Sequence, residues 1–308
     1  MRVIITGGTG LIGKKLTKLL ARDGYDVVIL TRNPQAVTCQ LPSNVRLVGW
    51  DAKSAKGWGH LLDHPDTLIV NLAGHNPAHW RWTAKHRRAV LDSRIAATCA
   101  VVEAIHAAKY KPRALMQASA VGYYGDGGEA MLDEDSPAAS DWRAEVCVKW
   151  EAVTEGIGIR TALLRIGIVL DQHGGAMPGF LAAAMLFGKR FGDGRQWVPW
   201  IHNADVAAAI HFLMNDPHAQ GAFNLSAPEP ARNADLMHTL AHMCGRPSLV
   251  PVPGWALEAA MGEQARVLLD SQRVVPHKLI GSGYQFQFPH LQPALHDILS
   301  HAPHWNVG

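Results

Sequence analysis

The turn Thr6-Gly7-Gly8-Thr9-Gly10-Leu11-Ile12-Gly13 holds the residue types and spacing that most directly imply chemistry. Two glycine fingerprints overlap in it. Gly8, Gly10 and Gly13 fit G-x-G-x-x-G, and Gly7, Gly10 and Gly13 fit G-x-x-G-x-x-G. Glycine permits a tight turn, lets backbone N–H groups approach a pyrophosphate, and lets a helix pack closely on a strand. A helix N-terminus adds partial positive charge. The ligand implied is a dinucleotide, held along Gly7, Thr9, Gly10, Leu11, Ile12 and Gly13. Three glycines in an arbitrary context would mean only a turn. Here a strand precedes them, a helix follows, and a second strand arrives on schedule.

The next informative position ends that second strand. An NAD site places an acid there to accept hydrogen bonds from ribose hydroxyls, but this chain reads Thr31-Arg32-Asn33-Pro34. Arg32 suits the 2′-phosphate of NADP, a charge-assisted contact worth about 1.5 to 3 kcal/mol. The cofactor expected is therefore NADP(H). A third cluster, Asn71-Leu72-Ala73-Gly74, ends a later strand. Its small residues Ala73 and Gly74 let adenosine and ribose lie close to the backbone beside Leu72. The loop after it carries His75 and His79, four apart, with no Glu between them and no cysteine near, so no metal site is expected. Trp80 and Trp82 suit loop packing. Lys85 to Arg88 form a basic cluster on the following helix, read as a solvated face. Arg94, seven residues beyond Arg87, falls on nearly the same side and is a candidate for a cofactor phosphate.

These residues need a particular scaffold. Val3, Ile4 and Ile5 form an apolar run expected of a strand buried on both faces of a parallel sheet. From Leu11 the period changes: Leu11, Ile12, Leu16, Leu19 and Leu20 cluster on one helix side, and Lys14, Lys15 and Lys18 largely on the other. Further strands are expected at 25–31, 45–50, 67–71 and 114–118. The apolar run Thr161 to Leu170 reads as the sixth. Helices are expected from about Thr83 to Ala108, Asp141 to Glu155, Phe180 to Gly188 and Val206 to Met214, the last capped by Asn203 or Asp205. Phe223 to Ser226 reads as a returning strand, Asn233 to Cys244 and Trp255 to Met261 as helices, and Val250 to Pro253 as an extended linker. The fold class is α/β, a doubly wound parallel sheet with a smaller C-terminal lobe. Residues 1–165 form the nucleotide-binding domain, joined by segments near 195–226. Residues 166–308 form mainly the substrate lobe.

At 308 residues with 48% hydrophobic and 18% charged content, the chain has an ordinary globular composition. No stretch of eighteen apolar residues suggests a membrane span. Met1 leads straight into the first strand, leaving no room for a signal peptide, and Cys39, Cys99, Cys147 and Cys244 are scattered, so a cytoplasmic location is expected. A formal charge of +3 gives no reason to expect a nucleic-acid or membrane partner. A small ligand is expected, and a homodimer is open.

From Ala114 onward the chain becomes recognisable. The glycine turn, Asn71-Leu72-Ala73-Gly74, a serine ending the fifth strand before Gly122-Tyr123-Tyr124-Gly125, and Trp200-Ile201-His202-Asn203-Ala204-Asp205-Val206 resemble the extended short-chain dehydrogenase/reductases. Arg81-Trp82, Ser93-Arg94, Lys149-Trp150-Glu151, Gly192-Asp193-Gly194-Arg195-Gln196 and Pro199-Trp200-Ile201-His202 are similar to the atypical epimerase-family branch of that group. The segment from Val250 to Tyr284, within about 250–296, resembles the branch's C-terminal domain of unknown function. The likeness implies a Rossmann fold, NADP(H), and an oxidoreductase or nucleotide-sugar-epimerase-like activity on a small polar or sugar-like ligand of unknown identity. It also implies that Val169 lies near the nicotinamide.

The same resemblance implies a Ser, a Tyr and a Lys four residues after the Tyr. Lysine there holds the ribose and lowers the phenol pKa from about 10, so that tyrosine exchanges a proton while hydride moves. Ser119 and Lys149 match the serine and lysine positions. Glu145 stands where tyrosine is expected. A Glu with pKa near 4.3 beside a lysine has no proton to give at neutral pH. The simple reading of Glu145 with Lys149 is an i, i+4 surface pair worth about 0.3 to 0.5 kcal/mol. Tyr123 or Tyr124, in the loop after Ser119, is the candidate replacement phenol, with Tyr124 carried as catalytic beside Ser119 and Lys149. Cys147 suits buried packing. The alternative is an NADP(H)-binding protein that has lost hydride chemistry and reports cofactor state to a partner.

Overall fold

The computed structural model describes residues 1–37, 41–76, 82–187, 190–246 and 251–300. The first strand, β1 (Arg2–Thr6), is buried from Val3 to Thr6, and the chain turns through the glycines into α1 (Leu11–Arg22). β2 (Asp26–Thr31), β3 (Val45–Gly49) and β4 (Thr67–Asn71) follow, then α2 (Ala84–Ala107) and β5 (Ala114–Ala120). Beyond the short β6 (Met131–Leu132) come α3 (Trp142–Ala152) and β7 (Arg160–Ile166). A later strand, β12 (Gly221–Leu225), completes a seven-stranded sheet in the order β12-β7-β5-β4-β1-β2-β3, every pair parallel.

Strand alternation sends successive side chains of β1 to opposite faces. Val3 and Ile5 join Leu16 and Leu20 of α1, and Ile210 and Leu213 of α5 (Asn203–Asn215), in one core. Ile4, Val28 and Ile69 join Val101 and Ile105 of α2 in the other. The sheet is thus covered on both sides, as its run of β-branched residues requires.

The expected sixth strand is divided. The run breaks at Gly167 between β7 and β8 (Ile168–Asp171), where the Gly167 N–H still donates to Leu225 of the main sheet but the Ile168 N–H donates to Pro199, so close that a Cβ on Gly167 would lie 2.3 Å from the Pro199 carbonyl oxygen. β8 pairs with β9 (Gly174–Gly175) and with β11 (Trp200–His202), while β10 (Trp197–Val198) pairs with β13 (Ala231–Arg232). These small sheets, α4 (Met177–Phe187), α6 (Asn233–Met243) and α7 (Gly254–Met261) surround a separate core containing Phe180, Phe191, Leu236, Met237 and Leu295. The C-terminal segment adds α8 (Arg266–Leu269), β14 (Arg273–Val274), which pairs with β6, α9 (His277–Gly281) and α10 (Leu291–Ser300).

The cap of α5 differs from expectation. His202 holds that position, its Nδ1 accepting from the Ala204 N–H at 3.1 Å. Asp205 is instead fully buried and accepts from Tyr284 Oη and from the N–H groups of Gln287 and Phe288, which moors the C-terminal segment. Asp141 caps α3 by accepting from Ala144 N–H. Expectations placed on Cys39, His79, Trp80, Arg81, Gly188 and Val250 fall outside the described residues.

Candidate active site

The glycine turn is built so tightly that side chains are sterically excluded. Gly7 has φ +68°, and a Cβ on it would lie 2.8 Å from the Leu72 carbonyl oxygen; a Cβ on Gly8 would strike Ile29 at 2.7 Å. A Cβ on Gly13 would fall 2.3 Å from the Gly7 carbonyl oxygen and 2.6 Å from Gly8 Cα. Gly10 precedes α1 with no side-chain cap, and no acidic residue occupies the first turn. The opening N–H groups of a helix have no partner inside it, so this end suits an anion.

Thr6 and Asn71 fix the neighbouring wall. Thr6 Oγ1 donates to Asn71 Oδ1 at 2.5 Å and accepts from the Leu72 and Ala73 N–H groups at 3.1 Å each. Asn71 Nδ2 donates to Gln117 Oε1 at 2.8 Å and Thr98 Oγ1 at 3.0 Å, and Trp150 Nε1 donates to Thr98 Oγ1 at 2.9 Å. This buried network ties β1, β4, β5, α2 and α3 together beneath the crevice. Gly74 continues the wall, with Arg94 Cζ 3.2 Å from where its Cβ would be. Arg94 Nη1 donates to the carbonyls of His75 and Val90, and its guanidinium lies over the Trp150 ring at 4.9 Å. Burial pulls its pKa below the ordinary guanidinium value. Thr31 and the exposed Arg32 end β2, and Arg32 makes no ion pair among the described residues. Val169 lies in β8, whose partner Gly175 approaches the Leu11 side chain of α1.

The catalytic residues expected from the sequence divide between a buried network and the surface. Ser119 is buried and donates to Glu151 Oε1 at 2.5 Å. Glu151 in turn accepts from Arg165 Nε and Nη2, both at 3.0 Å. Burial opposes the charge on Arg165, but the hydrogen bonds and charge of Glu151 raise its pKa further. Arg165 Nη1 donates to Tyr124 Oη at 3.0 Å, and Tyr124 donates to Asn224 Oδ1 at 2.7 Å. Burial pushes the Tyr124 phenol up to about 12, with Arg165 opposing. Tyr123 lies under the Arg165 guanidinium, 3.5 Å from ring centroid to Cζ. Lys149 bridges Glu145 at 2.5 Å with both side chains more than half exposed, as the simple surface-pair reading has it.

α3 presents other side chains to the crevice. Arg143, Val146, Cys147 and Trp150 line a cavity of about 610 Å³ that runs from Ala120 and Ile166 to the C-terminal segment. Arg143 and Cys147 are an i, i+4 pair, two residues out of register with Glu145 and Lys149. Arg143 forms ion pairs with Asp141, at 2.6 Å, and with Asp270. Burial works against the guanidinium, yet the Asp141 hydrogen bonds and the two carboxylates hold its pKa above the ordinary value. Burial raises Asp270, against the pull of Arg143. Cys147 Sγ lies 3.5 Å from the Ala120 carbonyl, and burial with the nearby Glu151 charge raises the thiol to about 11. It is a neutral thiol. Sequence spacing missed Arg143, Glu151 and Arg165. The apolar stripe Val146, Cys147 and Trp150 marked the inward face of α3, and Arg165 was the lone charge inside an apolar strand. Among the described residues no cluster of His, Cys, Asp and Glu is arranged to hold a metal.

A parallel doubly wound sheet, with a glycine-lined helix N-terminus at the carboxyl end of its first strand, defines a Rossmann-type dinucleotide-binding protein. The chain belongs to the NAD dependent epimerase/dehydratase family, whose model matches residues 3–226, and residues 252–298 match a domain of unknown function, DUF1731. It is 35% identical to the epimerase family protein SDR39U1 homolog, chloroplastic, of Arabidopsis thaliana, over 97% of this chain and 87% of that protein. It is 36% identical to the epimerase family protein YfhF of Bacillus subtilis, over 97% and 98%. The crystal structure of human epimerase family protein SDR39U1 (isoform2) with NADPH superposes with a TM-score of 0.85 at 32% identity, covering 98% of this chain and all of that one. A nucleoside-diphosphate sugar epimerase from Corynebacterium glutamicum matches at 30% identity and TM-score 0.77, over 97% of this chain and 58% of that one. No helix among the described residues is long and apolar enough to cross a membrane.

Proposed function

We propose that the chain binds NADP(H) in the crevice from Gly7 to Gly74 and acts as an oxidoreductase or epimerase-like enzyme. The observation that carries this reading is the glycine cradle at the uncapped start of α1, where Cβ atoms on Gly7, Gly8 and Gly13 would collide with neighbouring atoms. Leu11, Ile12 and Gly13 N–H groups would hold the pyrophosphate beside Thr9 and Gly10. Arg32 would meet the 2′-phosphate next to Thr31, and Leu72, Ala73 and Gly74 would pass under the adenosine-bearing half. Arg94, held against Gly74, would add a cation to the crevice, and Val169 would flank the nicotinamide. NADPH in the human relative supports the assignment. Its reducing form supplies hydride from the nicotinamide C4.

This chain's own groups then act on the substrate. Arg143, fixed by Asp141 and Asp270 with its Nη1 free of partners among the described residues, would donate a hydrogen bond to the substrate oxygen and stabilise charge developing there. Ser119 and Lys149, candidates by resemblance, and Tyr124, a candidate by its place in the loop after Ser119, would not touch the substrate directly. Ser119 would hold Glu151 under the floor, Tyr124 would brace Arg165, and Lys149 would stay at the surface. We place the protein in the cytoplasm on its free cysteines, Cys99, Cys147 and Cys244 among the described residues.

Titration with NADPH and NADH by nicotinamide fluorescence tests the cofactor. NADPH should bind at least about tenfold more tightly, and Arg32→Ala should remove most of that preference. Equal affinities, unchanged in Arg32→Ala, would overturn the assignment. NADPH binding without turnover of any carbonyl compound would instead favour the cofactor-sensing alternative.

A further inference from the structure

The cavity beside Arg143 has walls that say what it admits. Trp142, Trp150, Phe180, Phe191, Leu257 and Met261 stand in its lining, contributed by α3, α4, α7 and the stretch between α4 and β10. Phe180, Phe191, Trp150 and Leu257 are each less than a tenth exposed, so these walls are packed in place. Among the polar groups of the lining, Gln272 and Asn233 are engaged, while Gln264 Oε1 is buried with no hydrogen-bond partner among the described residues. Gln272 Nε2 donates to the carbonyls of Val121 and Gly125 at 3.0 and 2.7 Å, and Asn233 Oδ1 accepts from Phe191 N–H at 2.9 Å.

Charge decides against a diphosphate. Arg143 faces two carboxylates, Asp141 and Asp270, which leave the cluster without net positive charge. Arg266 stands at the exposed edge, also facing Asp270. Arg94 lies across the crevice, committed to two backbone carbonyls. A nucleoside diphosphate brings about two negative charges that must lose their water, and Arg143, set between two carboxylates, is a poor receiver for them.

We propose that the substrate is an uncharged compound with an apolar, ring-bearing body and one carbonyl or hydroxyl end, and that it is not a nucleotide-diphosphate sugar. The carbonyl or hydroxyl meets Arg143 near Ala120 and Ile166, and the body lies against Trp142, Phe180 and Phe191. Flat rings stack on these aromatic walls, and their burial supplies the affinity that a phosphate clamp would give elsewhere. A cavity of about 610 Å³ is large enough for a ligand of two to several fused rings. On this proposal the body differs from the small polar or sugar-like one that the resemblance implies, while the reacting oxygen is kept. This inference rests on the assignment of the oxidoreductase site to the crevice beside Arg143.

Calorimetry on the intact chain separates the two readings. Heat of NADP⁺ binding is measured first, and the NADP⁺-loaded protein is then titrated with 1-tetralone, cyclododecanone and UDP-glucose. At least one ketone should bind saturably with Kd at or below about 1 mM, and UDP-glucose should not bind in that range. Ala183→Phe, which fills the cavity from α4, should weaken ketone binding by about tenfold or more while NADP⁺ still binds as in the unaltered chain. Met261→Arg, at a half-buried wall position, is a second variant should the first not fold, and it should weaken ketone binding likewise. Saturable binding of UDP-glucose, failure of both ketones, or ketone binding indifferent to a folded Ala183→Phe or Met261→Arg protein would each overturn the inference. Failure of NADP⁺ to bind would instead sink the cofactor assignment, and ketone titration of the unloaded protein would still decide the cavity's preference.

Discussion

Gly13→Ala is the sharpest perturbation of the cofactor cradle. The added Cβ would lie 2.3 Å from the Gly7 carbonyl oxygen, 2.6 Å from Gly8 Cα and 2.8 Å from Gly8 C, all backbone atoms with no rotamer to escape into. Restoring ordinary contact near 3.4 Å requires α1 and the turn to separate by roughly 1 Å. Such overpacking costs about 1 to 3 kcal/mol of stability. The same displacement moves the N–H groups of the first turn away from the pyrophosphate. Losing even one charge-assisted hydrogen bond, about 1.5 to 3 kcal/mol, predicts a rise in the NADPH dissociation constant of at least about tenfold. Gly24→Ala is the matched control. Gly24 has φ +82° and nothing within 4 Å of its would-be Cβ, so alanine there should cost about 1 kcal/mol of backbone strain and leave affinity unchanged. Fluorescence titration gives the affinities, and denaturant unfolding of the apo proteins gives the stabilities. A Gly13→Ala protein that binds NADPH within twofold of the unaltered chain would refute the cradle.

Three further outcomes are expected. Glu151→Ala strands the buried Arg165 guanidinium and the Ser119 hydroxyl, and should cost about 3 to 5 kcal/mol in urea unfolding; a loss below about 1 kcal/mol would mean the pair is not buried as described. Lys149→Ala removes an exposed pair, so it should cost no more than about 0.5 kcal/mol and change NADPH affinity less than twofold, whereas a tenfold loss would place Lys149 in the cofactor site, as the resemblance implies. His202 contributes one part of the pH dependence. Burial holds its pKa below the ordinary 6.5, against the pull of Asp297, and its Nδ1 must stay unprotonated to cap α5. Because the unfolded chain binds this proton more readily, His202 contributes stability above about pH 6.5 and loses it as pH falls through the folded-state value. The melting temperature should therefore drop on acidification below about pH 6.5, and His202→Asn, which keeps a capping acceptor, should flatten part of that drop.

Much of the scaffold was written locally. The apolar run Val3 to Ile5, the glycine turn and the leucine stripe of α1 specify strand, turn and helix within the first twenty residues, because period and glycine content act over a few neighbours. Thr83 and Asp141 cap their helices for the same local reason. The division at Gly167 was not legible, since it answers to Pro199, far along the chain. Nor was the cap at His202, where Asp205 was drawn away by Tyr284, Gln287 and Phe288.

By itself the sequence determined a dinucleotide cradle, because a phosphate is met by backbone that only glycine leaves open. Which face of α3 meets the substrate was decided by the tertiary structure. Glu145 and Lys149 share the spacing of Arg143 and Cys147, and only packing of Val146 and Trp150 against the crevice turns the second pair inward and leaves the first in water. The same holds for Ser119 and Tyr124. Their hydroxyls sit at the right point in the chain, but Glu151, Arg165 and Asn224, brought in from α3, β7 and β12, take them as partners.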